Sequence, residues 1–335
     1  MTLDDPFVKV LRHRSRVLDG NPLGDPVDRE VIVCLPRSYE SQPERRYPTI
    51  WFLAGFGSRG GSFLADSPIH EPLSRRLHRL AASGEAPEVI AVLPDCSTRF
   101  GGSQYIDSPG TGNYQQYLTG ELVPFIDARL RTVATAERRG VIGRSSGGYG
   151  AWMAAAQRPD VFRLAGCVAP DSGFEHCYLA FVPQVLATYA DRGGYQAFAR
   201  EPLAVFPKDG AYMLALSLIA MASCYSPSPA AAEGFDFPVD PDTGEMRDQV
   251  WERWKRFDPV RLVDEQAATM RTLTWLYIDV GHRDEYYMHW GARALHARLE
   301  RLGVPHQYHE HAGGHQGTDA RYDPLLRSLG QALHG

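Results

Sequence analysis

Along this chain, short runs of apolar residues alternate with stretches in which apolar positions recur every third or fourth residue. The runs are 49–54, 88–93, 139–142, 164–169, 273–278 and 305–311, most of them apolar on both faces. A strand needs that composition when helices cover both sides of its sheet. Two further strands are expected at 7–18 and 29–35, on either side of a turn-rich segment that holds Gly20, Asn21, Pro22, Gly24 and Pro26.

The helical stretches are equally legible. Met288, Ala292, Leu295, Leu299 and Leu302 step by four, three, four and three, and Gly303 and Pro305 end that helix. Tyr322, Leu325, Leu326, Leu329 and Leu333 form a second stripe, with Thr318 or Asp319 as its N-cap. Leu118, Leu122, Ile126 and Leu130 form a third, in which Pro124 predicts a kink. Such alternation predicts an α/β fold: a mostly parallel sheet with helices on both faces. The rhythm breaks between 172 and 272, where the sequence is helical or irregular and carries Pro227, Pro229, Pro238 and Pro241. An excursion of that length between two core strands predicts a helical cap inserted over the sheet's C-terminal edge, within one domain spanning 1–335.

Composition narrows the function classes. With 335 residues, 44% of them hydrophobic, the chain can bury a core that needs no disulfide or structural metal. It carries 35 basic against 40 acidic residues and no dense basic run, so nucleic acid is not expected as a partner. Cys34, Cys96, Cys167, Cys177 and Cys224 are scattered and odd in number, and they read as buried apolar residues in a reducing, cytoplasmic compartment. The segment 1–20 lacks the apolar core of a secretory signal, and 211–225, the longest nearly apolar stretch, is too short to span a bilayer, so no membrane partner is expected. That stretch predicts a buried helix or a contact between the copies of a homodimer.

The chemistry concentrates at Gly143-Arg144-Ser145-Ser146-Gly147-Gly148, which follows the strand 139–142 and opens the helical run 149–157. A nucleophile on a strand-to-helix turn stands clear of the sheet only with strained backbone angles, and small residues two positions either side avoid a clash. Ser145, flanked by Gly143 and Gly147, fits that geometry, and the helix behind it offers positive potential to an oxyanion. A serine hydroxyl needs a base, and the base an orienting acid; in this architecture both follow later in the chain, at the ends of core strands. His315, in the loop Ala312-Gly313-Gly314-His315 after the last strand, is the expected base. Asp284 is the expected acid, with Asp279 and Glu285 as close rivals and Asp171 as a lesser one. The oxyanion donors are expected to be backbone N–H groups of Ser146 and of Phe56, the latter in the loop Gly55-Phe56-Gly57 after the strand 49–54. No cofactor is expected. His306, His309, His311 and His315 invite a metal site, but no accompanying ligand spacing supports one, and a solvated edge strand explains them better.

These residues resemble the esterase family of α/β-hydrolases that includes esterase D (S-formylglutathione hydrolase), enterochelin-esterase-like proteins and mycolyltransferases. The matches are Val33-Cys34-Leu35-Pro36 through Tyr39, Tyr47-Pro48, Gly55-Phe56-Gly57, Asn113-Tyr114-Gln115-Gln116-Tyr117 and Glu121-Leu122-Val123-Pro124. They continue with the elbow from Gly143 to Ala151, the turn from Gly281 to Asp284, and Gly313-Gly314-His315. The resemblance implies the α/β-hydrolase fold, a Ser145–His315–Asp284 triad, and Phe56 and Ser146 as oxyanion donors. Where such proteins commonly have His-Gly at the oxyanion loop, this chain has Ala54-Gly55, and Arg144 and Ser146 replace the His and Met of esterase D-like elbows. The elbow is also similar to that of prolyl-oligopeptidase-type peptidases, whose N-terminal propeller this chain has no room for. The expectation is therefore a serine esterase acting on a small-molecule ester or thioester through an acyl-enzyme. The many aromatics of 172–272 point to a bulky or aromatic substrate. An acyltransferase with the same triad, a peptidase or amidase, and a non-catalytic binding protein on this fold are the alternatives.

Overall fold

The computed structural model describes residues 5–68 and 70–334, so the first four residues of the N-terminal segment read above lie outside the described residues. The strands are β1 (Val8–Arg14), β2 (Asp28–Cys34), β3 (Thr49–Leu53), β4 (Ile90–Pro94), β5 (Asp107–Ser108), β6 (Gly112–Asn113), β7 (Arg139–Arg144), β8 (Leu164–Val168), β9 (Trp275–Gly281) and β10 (Gln307–His311). The pair β5–β6 forms a small hairpin, and the other eight make one sheet in the order β1-β2-β4-β3-β7-β8-β9-β10. The first two pairings, β1 with β2 and β2 with β4, are antiparallel; every later one is parallel. From β3 the chain passes to β4 on one side and to β7 on the other, which opens a crevice at the C-terminal strand ends where such sheets bind ligands.

The pleat divides the core. One face of the sheet, with Ile50, Phe52, Ile142 and Leu164, packs on α1 (Leu73–Ala82) and α12 (Tyr322–His334). The other face, with Trp51, Leu53, Val141 and Ala165, packs on α4 (Ser146–Gln157) and α11 (Met288–Arg301). Between the hairpin and β7, α2 (Tyr114–Gln116) and α3 (Val123–Asp127) are joined by a π-turn over Tyr117–Leu122. Pro124 has no N–H to donate, and in a regular α-helix its ring would clash with the carbonyl four residues back; the helix widens into a π-turn just before it rather than simply bending. Several boundaries shift by one to three residues, and two differences from expectation have a clear local cause. The strand expected over 7–18 ends at Arg14, because the Ser15 hydroxyl (2.6 Å) and the Arg16 N–H (2.8 Å) turn away to the Glu121 carboxylate. Thr318 and Asp319 belong to a 3-10 turn, Thr318–Arg321, that leads into α12 instead of capping it.

Between β8 and β9 the described residues form helices and no strand: α5 (Phe174–Cys177), α6 (Val182–Asp191), α7 (Tyr195–Arg200), α8 (Gly210–Tyr225), α9 (Asp248–Lys255) and α10 (Pro259–Met270). Their apolar side chains join the core of the α4 face without a break. The apolar run 211–225 is α8, whose residues from Leu218 to Tyr225 are all buried within this chain. Asp258 closes the insertion: it caps α10 through the Val260 N–H (2.9 Å) and also accepts the N–H groups of Gly173 and Phe174, both at 2.9 Å. All five cysteines are buried and unpaired. Among the described residues no helix is long and apolar enough to cross a membrane.

Candidate active site

The register levels five loops at one rim. Leu53 pairs with Gly143, Arg144 with Val168, Val168 with Asp279, and His311 with Gly281. The segments that follow these strands carry Phe56, Ser145, Asp171, Asp284 and His315, and they meet there.

Ser145 has φ 57° and ψ −128°, a strained conformation for a residue with a Cβ. It persists because its surroundings over-determine it. The Ser145 N–H donates to the Val168 carbonyl (2.9 Å), and α4 starts at the next residue. A Cβ on Gly143 would lie 2.1 Å from the Gly147 carbonyl oxygen, and one on Gly147 would lie 2.1 Å from that of Leu53. The strand–turn–helix can close this tightly only with glycine at both places, as the sequence pattern implied.

The His315 Nδ1 lies 2.7 Å from Asp284 Oδ2, with both side chains buried. Asp284 is itself fixed: its Oδ1 accepts the Tyr286 N–H at 2.9 Å, and its chain continues into α11. The first turns of α11 dock backbone to backbone on the segment that carries Asp171, for a Cβ on Gly291 would stand 1.9 Å from the Ser172 carbonyl oxygen. Tyr286 packs edge-on against the His315 ring, 4.8 Å between centroids. Two further bonds hold the histidine loop: Glu285 accepts the His315 N–H at 2.6 Å, and the Arg144 guanidinium donates to the His315 carbonyl at 3.2 Å.

The structure thus separates the acidic candidates. Asp284 faces the imidazole, whereas Glu285 binds the backbone of the same loop. Asp279 is fully buried and engaged elsewhere, with Arg321 Nε 3.1 Å from its Oδ2 and His311 Nε2 3.4 Å from its Oδ1. Asp171 touches Ser145 instead of His315: the Ser145 hydroxyl is 3.5 Å from Asp171 Oδ1 and, among the described residues, has no hydrogen bond to the imidazole. Ser145, His315 and Asp171 nevertheless line one cavity of about 250 Å³, together with Gly55, Phe56, Ser146, Met213, Leu214, Met221, Tyr286 and Met288. Phe56 and Ser146 flank the elbow, and among the described residues neither backbone N–H is spent on an internal acceptor.

The ionic role of Asp279 has a measurable consequence. Arg321→Ala strands a buried carboxylate and is expected to lower stability by about 3 kcal/mol in urea unfolding, with kcat/KM on any turned-over ester held within about threefold. The other histidines have structural partners. His309 stacks on Tyr277 (4.7 Å), His306 Nε2 meets His296 Nδ1 (2.8 Å), and His311 Nδ1 accepts the Gly313 N–H (3.0 Å). Among the described residues no three His, Cys, Asp or Glu side chains are grouped so as to hold a metal ion. The side chains of Gln104 and Tyr178, which also reach Asp171, and the backbone role of Glu285 were not foreseen. No local pattern marks them: Gln104 and Glu285 act through contacts distant in sequence, and Tyr178 lies seven residues from Asp171 in a segment without regular spacing.

A mostly parallel sheet with a Gly-flanked serine on the strand–turn–helix after a central strand, and a His loop after its last strand, matches the α/β-hydrolase fold. The family model described as "Putative esterase" matches residues 26–327, and the chain belongs to this esterase family, a serine-hydrolase-type group of enzymes. Solved structures agree on the fold. A ferulic acid esterase superposes with a TM-score of 0.61 at 18% identity, covering 97% of this chain and 98% of its own. The fluorophosphonate-binding serine hydrolase FphF of Staphylococcus aureus gives 0.57 at 16% identity, covering 98% of each chain. An S-formylglutathione hydrolase (FrmB) of the same organism also gives 0.57, at 15% identity with 98% of each chain covered.

Proposed function

We propose that this protein hydrolyses a carboxylic ester or thioester through an acyl-enzyme on Ser145. The observation that carries the reading is the pairing of a strained Ser145 with an Asp284-held His315 in one cavity. His315 Nε2 takes the serine proton as the hydroxyl attacks the carbonyl, and Asp284 holds the proton on Nδ1 and stabilises the imidazolium. The tetrahedral oxyanion settles against the N–H groups of Phe56 and Ser146, at the positive end of α4. His315 then protonates the leaving group. Water, activated by the same imidazole, releases the acyl group. The apolar walls of Met213, Leu214, Met221 and Met288 favour an acyl group larger than acetyl. The five unpaired thiols fit a reducing, cytoplasmic compartment.

The direct test is labelling. A fluorophosphonate is expected to modify the protein once, with the adduct on the peptide that contains Ser145. Absence of the adduct, or its presence on another serine, overturns the assignment.

A further inference from the structure

The mechanism above leaves Asp171 without a task, and its setting is unusual. It lies after β8 and is 2% exposed. Its Oδ2 accepts three hydrogen bonds, from the hydroxyls of Tyr178 (2.7 Å) and Ser146 (3.0 Å) and from Gln104 Nε2 (3.0 Å). Its Oδ1 has, among the described residues, only the Ser145 hydroxyl, at 3.5 Å, too long for a good O–H···O bond. Among the described residues no cationic side chain forms an ion pair with it. Burial pushes its carboxyl above the ordinary carboxylate range, against the pull of those three donors. An unpaired carboxylate there is costly to the fold and opposes an oxyanion forming a few ångströms away. Both penalties vanish if the guest brings the missing cation.

We propose that Asp171 determines acyl specificity by receiving a protonated amino group on the carbon next to the scissile carbonyl, so that the substrates are esters or thioesters of α-amino acids. The inference rests on the reading of Ser145 as nucleophile. The distances allow it. An ammonium nitrogen sits ~2.8 Å from a carboxylate oxygen, and a carbonyl carbon poised for attack sits ~3.2 Å from the hydroxyl oxygen. Across an α-amino acyl group that nitrogen and carbon are ~2.5 Å apart. With 3.5 Å between Ser145 Oγ and Asp171 Oδ1, the four atoms close into a ring. The amino-acid side chain then points among Met213, Leu214, Met221 and Met288.

The test compares methyl phenylalaninate with its deaminated analogue, methyl 3-phenylpropanoate, at a pH below the amino pKa of ~7.7. Wild-type protein is expected to favour the amino ester by about tenfold or more in kcat/KM, the worth of one charge-assisted hydrogen bond. Asp171→Asn keeps an acceptor for the three donors, so it is expected to fold with an undiminished melting temperature while the preference falls to about one, chiefly through KM. A wild-type protein without the preference, including one that fails to turn over the amino ester, overturns the proposal whether or not the variant folds. So does a preference that survives in Asp171→Asn. Activity on both esters that persists in Ser145→Ala overturns instead the nucleophile assignment beneath it.

Discussion

Ser145→Ala is expected to lower kcat by about 10⁴- to 10⁶-fold on any ester the protein turns over, with little change in KM. The loss is that large because in the proposed mechanism the hydroxyl forms the covalent intermediate, and the remaining groups only bind and polarise the carbonyl. The melting temperature should stay level, since alanine keeps the Cβ that makes φ 57° costly. Ser145→Gly should be just as inactive yet more stable, by about 1–2 kcal/mol, because glycine occupies that region freely. Initial rates and thermal melts on the three proteins decide the matter. Equal rates for wild type and Ser145→Ala remove the mechanism, and a glycine variant that melts no higher removes the account of strain.

The second large effect concerns the acid. Asp284→Asn is expected to reduce kcat by about ten-thousand-fold with the fold intact. A carboxylate accepts the Nδ1 proton of His315 and so leaves Nε2 unprotonated, facing the hydroxyl. An asparagine amide can instead donate to Nδ1, which drives the imidazole proton to Nε2 and disables the base. Asp279→Asn provides the contrast, since that carboxylate bonds Arg321 and not the imidazole: stability should fall while kcat on the folded protein changes little. If Asp279→Asn abolished turnover and Asp284→Asn did not, the roles given to the two carboxylates would be reversed.

The central strands, the elbow and the helices α11 and α12 were readable from the sequence because each is dictated locally. Doubly covered strands must be apolar on both faces, and Gly143 and Gly147 are required by backbone contacts of 2.1 Å. The assignment of the acids was not readable to that depth. Asp279, Asp284 and Glu285 lie within seven positions, and only the contact between the loops after β9 and β10 shows which of them meets His315. The helix α1 escaped notice because Arg75, Arg76, His78 and Arg79 crowd its leucines, and the burial of Arg76 depends on Asp319 and Asp323 far along the chain. The contact of Asp171 with Ser146, Gln104 and Tyr178 joins three segments remote from one another, which no periodicity reports.

The double duty of Asp258 reaches beyond stability. By tying the first turn of α10 to the backbone of Gly173 and Phe174, it pinches the insertion shut at its base. What lies between becomes a replaceable cassette, free to lengthen, shorten or change its lining while Ser145, His315 and Asp284 beneath stay in place. A single chemical engine can in this way be refitted for new acyl groups by exchanging its roof.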